Sequence, residues 1–188
     1  MRIIGGSFKG KKLIQPYDFK TRPLKDLTKE SIFNILIHTK KFNINLNSSV
    51  VLDIFSGVGS FGIECISRGV KKVIFIENYK GVLPLLKKNL INLKSVKNYK
   101  IIEKNIYIDN VFLRLDLRFD VIFIDPPFKD NKLENIFSEI HKNKVLNKNG
   151  IIIIHRHKDE IDINPLNYKL IEEKVYGISK IKFFSDLN

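Results

Sequence analysis

Two stretches of the sequence carry residue types that could bind a small activated molecule and steer a group away from it. The first is Val51-Leu52-Asp53-Ile54-Phe55-Ser56-Gly57-Val58-Gly59-Ser60-Phe61-Gly62. It reads as a strand, a Gly-rich turn and the start of a helix. Gly57 and Gly59 let the backbone approach a ligand with no Cβ in the way. The helix beyond them offers N–H groups to an anionic group such as a carboxylate. Asp53, at the strand end, repels a pyrophosphate and attracts an ammonium. Eighteen residues after Gly59 stands Glu77, at the end of the next apolar run. A carboxylate there can accept hydrogen bonds from both hydroxyls of a ribose. A lone Gly-x-Gly turn is as readily an ordinary βα loop. With Asp53 before it and Glu77 after it, the pattern describes an ammonium, a carboxylate and a ribose together. That set suits S-adenosylmethionine better than NAD.

The second stretch is Phe119-Asp120-Val121-Ile122-Phe123-Ile124-Asp125-Pro126-Pro127-Phe128, again at the end of an apolar run. The two prolines fix the backbone, so the nearby carbonyls cannot pair with a neighbouring strand. A carboxylate, stiff carbonyls and an aromatic face converge at the rim where open α/β sheets bind ligands. The combination suits an exocyclic amine on a flat base. Asp125 and a main-chain carbonyl would accept the two N–H bonds. Phe128 would stack on the ring, a contact worth roughly 1–3 kcal/mol. The amine lone pair would then face an electrophilic methyl.

The elements that must position these residues alternate from Val50 onward. Val50–Ile54, Val73–Glu77, Tyr99–Glu103, Phe119–Asp125 and Gly150–His155 read as strands. Between them, Ser60–Arg68 reads as a helix ended by Gly69 at a natural C′ position. The stripe Val82, Leu86, Leu90 and Leu93 predicts the next helix, with further helices over 106–115 and 131–143. Two closing strands, 168–175 and 179–185, flank Gly177. This is an α/β pattern: a mainly parallel sheet with helices on both faces and an antiparallel hairpin added at its edge. Ahead of it, residues 2–14 predict two short strands around a Gly-rich turn. A helix follows, with Asp26 or Thr28 as N-cap and Ile32, Phe33, Ile35, Leu36 and Ile37 as its apolar positions.

The chain has 188 residues, 44% of them apolar, which is enough for one core. Its formal charge of +13 favours an anionic partner, nucleic acid before a membrane surface. Part of that charge is compositional. The chain is rich in Ile, Lys and Asn and has no Ala, as A/T-rich codon use would produce. The distribution is more telling. Residues 1–49 carry ten basic and three acidic side chains, and residues 50–188 carry twenty-three and seventeen. Lys9, Lys11, Lys12, Lys20 and Arg22, close to Phe8, are therefore read as phosphate contacts rather than merely solvated charges.

No apolar run approaches the roughly 20 residues that cross a bilayer, so no membrane role is expected. The start, Met1-Arg2-Ile3-Ile4-Gly5-Gly6, has no secretory h-region. One cysteine, Cys65, cannot form an internal disulfide, and a cytoplasmic location is expected. Cys65 is read as packed, and a cytosine-C5 mechanism, with its nucleophilic Pro-Cys, has no counterpart in the sequence. His38, His141, His155 and His157 lack metal-ligand spacing, so no metal is expected.

Residues 50–188 resemble the class I S-adenosylmethionine-dependent methyltransferases in their amino-methylating branch. The whole chain is similar to the RsmD family of small-subunit ribosomal RNA guanine-N2 methyltransferases. The closer match rests on Arg2-Ile3-Ile4-Gly5-Gly6, Lys9-Gly10-Lys11-Lys12-Leu13, Arg22-Pro23 and Glu30-Ser31-Ile32-Phe33-Asn34-Ile35-Leu36, with Ser67-Arg68-Gly69 and Tyr176-Gly177. The resemblance implies a Rossmann-like, seven-stranded, mainly parallel sheet with an antiparallel C-terminal strand, plus a small N-terminal hairpin and helix. It implies a basic RNA-binding extension over residues 1–49 and a methyltransferase domain over 50–188. Asp53, Phe55, Gly57, Gly59, Glu77 and Asn105 would hold S-adenosylmethionine. Asp125, Pro126, Pro127 and Phe128 would hold one guanine of 16S ribosomal RNA, on naked RNA or in the small subunit. Arg2, Lys9, Lys11, Lys12 and Arg22 would grip the RNA, with a monomer as the expected state.

Three positions depart from the family pattern. Leu24 stands where the family has Thr after Arg-Pro. Lys29 replaces an Arg and loses its bidentate fork for phosphate. His155-Arg156-His157 follows the fifth strand, where the family often has Glu. Two other functions fit parts of the pattern: a DNA or other RNA amino-methyltransferase acting on adenine N6, and a non-catalytic RNA-binding assembly factor with a relic cofactor fold. The first lacks length for a DNA-recognition domain, and intact Asp53, Gly57, Gly59, Glu77 and Asp125 speak against the second.

Overall fold

Short runs of Ile, Val and Phe, each bounded by turn residues, form the strands of a computed structural model that describes residues 1–16, 24–94, 96–127, 130–161, 163 and 165–187. The strands are β1 (Val50–Ile54), β2 (Lys72–Ile76), β3 (Tyr99–Ile102), β4 (Phe119–Ile124), β5 (Leu146–His157), β6 (Tyr168–Tyr176) and β7 (Ser179–Asp186). The helices are α1 (Asp26–His38), α2 (Ser60–Ser67), α3 (Leu83–Ile91) and α4 (Leu133–Lys142). They form one seven-stranded sheet in the order β3-β2-β1-β4-β5-β7-β6. β1 pairs in parallel with both β2 and β4, and β4 with β5. β7 alone runs against its neighbours, lying between β5 and the rim strand β6. The strand order reverses between β1 and β4, the point where open α/β sheets leave a crevice for ligands.

Alternate strand residues feed two apolar clusters, as a period of two requires. Val51, Val73, Phe75, Val121, Phe123, Ile153, Ile181 and Phe183 face Phe33, Phe61, Cys65 and Leu86 on α1, α2 and α3. Leu52, Ile54, Ile74, Ile122, Ile124, Ile152 and Ile154 face Ile136, Phe137 and Ile140 of α4. The central parallel strands are buried on both faces and so read as nearly continuous apolar runs, broken by Asp53 in β1 and Asp120 in β4. Ile3, Leu13 and Leu24 of the N-terminal segment belong to the first cluster. That segment and the sheet share one core, and Leu24 is part of it.

The N-terminal residues depart from two regular strands. One bridge, Arg2 with Lys12, joins their bases. The amides of Ile4 and Gly5 are diverted to the carboxylate of Glu64, at 2.8 and 2.7 Å. The Ser7 amide goes to the Ser67 carbonyl at 2.7 Å and the Phe8 amide to Ser67 Oγ at 3.0 Å. The ladder is short because its donors are spent on α2.

Three further boundaries differ from the pattern. Lys25, not Asp26 or Thr28, is the N-cap of α1 and makes no side-chain cap bond. Asp26 instead pairs with Arg2 Nε at 3.3 Å, and Thr28 is buried. The helix expected over 106–115 shrinks to a 3₁₀ turn at Val111–Arg114. Asn105 and Asp109 hold the preceding loop through their own side chains, with Asn105 N donating to Asp109 Oδ2 and Tyr107 N to Asn105 Oδ1. β5 starts four residues before Gly150, across a register shift between Phe119 and Val121 of its partner.

Glu64 sits at the centre of this arrangement, fully buried in the middle of α2. Besides the two amides it accepts from Arg68 Nε at 2.8 Å and faces Lys29 Nζ at 3.7 Å. Lys29 is also fully buried and donates to the Arg2 carbonyl at 2.7 Å and to Ser60 Oγ at 3.3 Å. Lys29 is therefore a structural cation and contacts no phosphate. Burial pushes its pKa down, and the Glu64 carboxylate opposes that shift. Glu64→Ala strands a buried ammonium and two amides. It is expected to cost about 3–5 kcal/mol of stability, read as a lower urea midpoint. Lys29→Met, which leaves Glu64 its Arg68 and both amides, should cost less; equal losses would show that the pair does not organise this region.

Candidate active site

A cleft of about 430 Å³ opens at the carboxyl ends of β1, β2, β4 and β5, within the range of small-molecule sites. Asp53, Phe55, Ser56, Gly57, Glu77, Asn105, Tyr107, Asp125, Pro126, Pro127 and His155 contribute to its wall. Met1, Pro16 and Leu24 close one side, so the N-terminal segment also shapes the cleft.

The Gly loop is built by positive φ angles. Phe55, Gly57 and Gly59 have φ of 59°, 55° and 85°. At Gly59 the left-handed backbone strains any side chain, and a Cβ would stand 2.6 Å from Leu86 Cδ1 and displace it. Ser56 N donates to the Ile76 carbonyl at 3.1 Å and Gly59 N to the Ser56 carbonyl at 2.7 Å. Asn89, from α3, donates to the Val58 carbonyl at 3.1 Å. The loop is thus held from two neighbouring elements.

Glu77 braces the same loop. Its Oε2 accepts from Gly57 N at 2.7 Å, and its Oε1 accepts from Asn78 N and Tyr79 N at 2.8 Å each. Oε1 is filled by its two amides, but Oε2 keeps a second lone pair, so Glu77 can still accept from a ligand hydroxyl. Asp53 lies beneath the loop, where Oδ2 accepts from Gly62 N at 2.9 Å. Burial drives its pKa well above the ordinary carboxylate value; the Gly62 bond opposes this, and the charges of Asp125 and Glu77 add to it. Asp53, Glu77 and Asp125 therefore converge on one cleft, beside Glu160 paired with Arg156, in a chain of net charge +13. The site favours a cation, and a group carrying both a sulfonium and an ammonium matches it.

On the far side the rings of Phe55 and Tyr107 lie 5.8 Å apart, tilted by 44°. The Tyr107 hydroxyl donates to Asp130 Oδ2 at 2.7 Å, and burial with this carboxylate pushes its pKa up. Arg156 Nη2 donates to the Asp130 carbonyl at 3.0 Å and its guanidinium pairs with Glu160. Asp125 N donates to the Ile54 carbonyl at 3.3 Å, which sets the residue directly beyond β4. Its Oδ1 meets His155 Nδ1 at 2.8 Å, and His155 Nε2 meets Ser179 Oγ at 3.0 Å.

All six residues singled out for a cofactor line this cleft except Gly59, which shapes the loop from behind. Asp125, Pro126 and Pro127 line it too, while Phe128 lies outside the described residues. The basic set is elsewhere. Arg2 is exposed and paired with Asp26, and Lys9 and Lys12 are exposed. Lys11 Nζ donates to the Asn92 carbonyl and lies 5.8 Å from the Phe8 ring centre. Arg22 and Lys20 lie outside the described residues. The hairpin tip docks against Ser67, roughly 10 Å along α2 from the cleft rim. Cys65 is buried, and burial raises its pKa, so no thiolate is available there. Among the described residues no group of His, Cys, Asp and Glu is arranged to hold a metal ion, and no helix is long and apolar enough to cross a membrane.

Tyr107, Asp130, Arg156, His155 and Ser179 were not legible as site residues. Their sole trace in the sequence is the polar triplet His155-Arg156-His157 closing an apolar strand. Tyr107 follows Asn105 by two residues, a spacing that means something only once the loop's path is known.

Residues 1–185 match a family model described as Conserved hypothetical protein 95. A Haemophilus influenzae protein named Ribosomal RNA small subunit methyltransferase D is 36% identical over 99% of this chain and 94% of its own length. A solved chain from Escherichia coli superposes with a TM-score of 0.80 and 29% identity, over 99% of this chain and 97% of that one. One from Haemophilus influenzae superposes with a TM-score of 0.78 and 34% identity, over 100% and 99%.

A cation entering the cleft lowers the raised pKa of Asp53. Between the two values, binding then releases a proton, and affinity rises with pH until Asp53 is ionised without ligand. Titration calorimetry with S-adenosylmethionine in two buffers of different ionisation heat should detect that proton. A heat independent of the buffer, and an affinity flat from acid to neutral pH, would show that Asp53 is already ionised.

Proposed function

Because this chain belongs to the RsmD family, we propose that it transfers a methyl group from S-adenosylmethionine to the exocyclic N2 of one guanine in 16S ribosomal RNA. One observation carries the reading. Asp125-Pro126-Pro127 opens onto the same cleft as the Gly57–Gly59 loop, Asp53 and Glu77. A site for an amine and a site for a cationic nucleoside are therefore continuous.

Asp53 and Glu77 supply the negative field, Gly57 and Gly59 the close backbone approach, and Phe55 and Asn105 the wall against the nucleoside. When bound, S-adenosylmethionine supplies an electrophilic methyl on a leaving group that is already activated. Guanine N2 is a poor nucleophile, because its lone pair is delocalised into the ring. Asp125 and the Pro126 carbonyl accept its two N–H bonds and hold that lone pair in line, and as N2 gains the methyl it sheds one of these protons along the bond to Asp125 and on to solvent. The contribution is positioning and pre-set electrostatics rather than covalent chemistry. Phe128 gives the base a stacking face. The guanine must leave its stack to enter, at a cost of about a few kcal/mol. Residues 1–49 act as the RNA-binding part and 50–188 as the methyltransferase domain, with Arg2, Lys9, Lys11, Lys12 and Arg22 on phosphates. We place the enzyme in the cytoplasm as a monomer, with either naked RNA or the small subunit as substrate.

The test is labelled methyl transfer to 16S RNA and to assembled small subunits, followed by mapping of the labelled nucleoside. Label on guanine N2 supports the reading; label on adenine, or none on either substrate, sinks it. Asp125→Ala is expected to lower methyl transfer at least ~100-fold while cofactor affinity stays near that of the native enzyme. Parallel loss of both would remove Asp125 from its role. Replacing Lys9, Lys11 and Lys12 with Ala should weaken RNA binding and reduce the salt slope by roughly two to three, at about 0.7–0.9 per phosphate contact. An unchanged slope would mean that these lysines meet no phosphate.

A further inference from the structure

The face of the sheet that carries the first apolar cluster turns polar at one place. Phe123 and Asp125 share that face, as do Ile153 and His155, and Phe183, Ile181 and Ser179. Ile124 pairs with Ile154, so Asp125 and His155 stand side by side where their strands end. On the other flank His155 pairs with Ile181, two residues along from Ser179. The outcome is a row across three strands: Asp125 Oδ1 to His155 Nδ1 at 2.8 Å, then His155 Nε2 to Ser179 Oγ at 3.0 Å. The His155 side chain is 1% exposed and that of Asp125 is 21% exposed. The row therefore begins buried in the sheet and ends on Asp125, a more exposed carboxylate of the cleft wall than Asp53 or Glu77.

The geometry points to His155 as the positioning residue for Asp125, with Ser179 fixing the imidazole from behind. The inference rests on Asp125 being the group that accepts the target amine. A carboxylate on a single Cβ rotates about its last torsion with little resistance. A donor locked onto Oδ1 stops that rotation and leaves Oδ2 to accept from the base. Because Nδ1 lies against a carboxylate, it carries the proton in the neutral ring, and Nε2 accepts from the Ser179 hydroxyl. The imidazole can lock Asp125 only if it is itself immobile, and burial with the Ser179 contact makes it so. Ser179 reaches it because β7 inserts beside β5. An edge placement of β7 would put two strand spacings between them.

The test compares His155→Asn, His155→Leu and Ser179→Ala in single-turnover methyl transfer to the 16S substrate. Cofactor affinity and urea midpoint are measured alongside. Asn carries an N–H at about the distance of Nδ1 from the backbone, whereas Leu fills space without a donor. His155→Leu is expected to slow transfer about 100-fold with cofactor affinity unchanged, and His155→Asn to recover the rate to within about tenfold of native. Ser179→Ala should fall between native and His155→Leu. A native rate in His155→Leu overturns the inference. So does a His155→Asn rate as low as that of His155→Leu when both fold and bind cofactor normally, since the ring would then matter only for packing. If His155→Leu does not fold, an unaltered rate in Ser179→Ala overturns it. Asp125→Ala run in parallel separates the two readings: a native rate there removes the premise, whereas a slow Asp125→Ala with a fast His155→Leu removes only the role of His155.

Discussion

A buried carboxylate is the hub through which the N-terminal segment is fastened to the sheet's first helix. Glu64 sits in α2 with no exposure to solvent, and an unpaired charge there would be prohibitive. Its partners are two backbone amides from the N-terminal segment, Arg68 at the C-cap of its own helix and Lys29 from α1. Arg68 in turn lies 4.4 Å from the ring centre of Phe33 on α1. The helix that begins at the Gly loop is therefore the helix onto which the N-terminal segment is fastened. The same fastening brings Met1, Pro16 and Leu24 to the wall of the cleft.

Charge is sorted rather than spread. The chain is strongly basic overall, yet its cleft gathers Asp53, Glu77 and Asp125. Such a field suits a cationic donor inside and a polyanionic substrate outside. The two demands do not conflict, because the acidic groups line the cleft whereas Lys9 and Lys12 are exposed on the hairpin docked at Ser67, the far end of α2. Screening in water limits the reach of the outer charges to about 8–10 Å. The inner carboxylates act over a few ångströms in a drier setting.

Strand order supplies the rest of the site. β1 and β4 are neighbours although β2 and β3 intervene in sequence, so the Gly loop and Asp125 leave adjacent strand ends. β7 folds back between β5 and β6, which sets Ser179 against His155 and His155 against Asp125. The Tyr107, Asp130 and Arg156 contacts tie the loops after β3 and β4 to the end of β5 around the same opening.

Much of this was legible in the chain itself. Strands that are buried on both faces must be largely apolar, so β1, β2, β4 and the middle of β5 announce themselves despite Asp53 and Asp120. Gly57 and Gly59 are demanded by local backbone angles, and Asp53, Glu77 and Asp125 stand where apolar runs stop. Each of these signals depends on neighbours within a few residues. Tertiary structure alone decided which polar groups meet. Glu64 finds its amide partners about sixty residues away, Asp125 finds His155 thirty away, and His155 finds Ser179 twenty-four away. The helix expected at 106–115 failed because Asn105 and Asp109 bonded their own backbone, and the N-terminal strands failed because their amides went to Glu64. Lys29, which in sequence is only a departure from the family's Arg, is a core ion. Hydrogen bonds and ion pairs are satisfied across the fold, by whatever the topology brings within 3 Å. Local pattern carries no record of those partners.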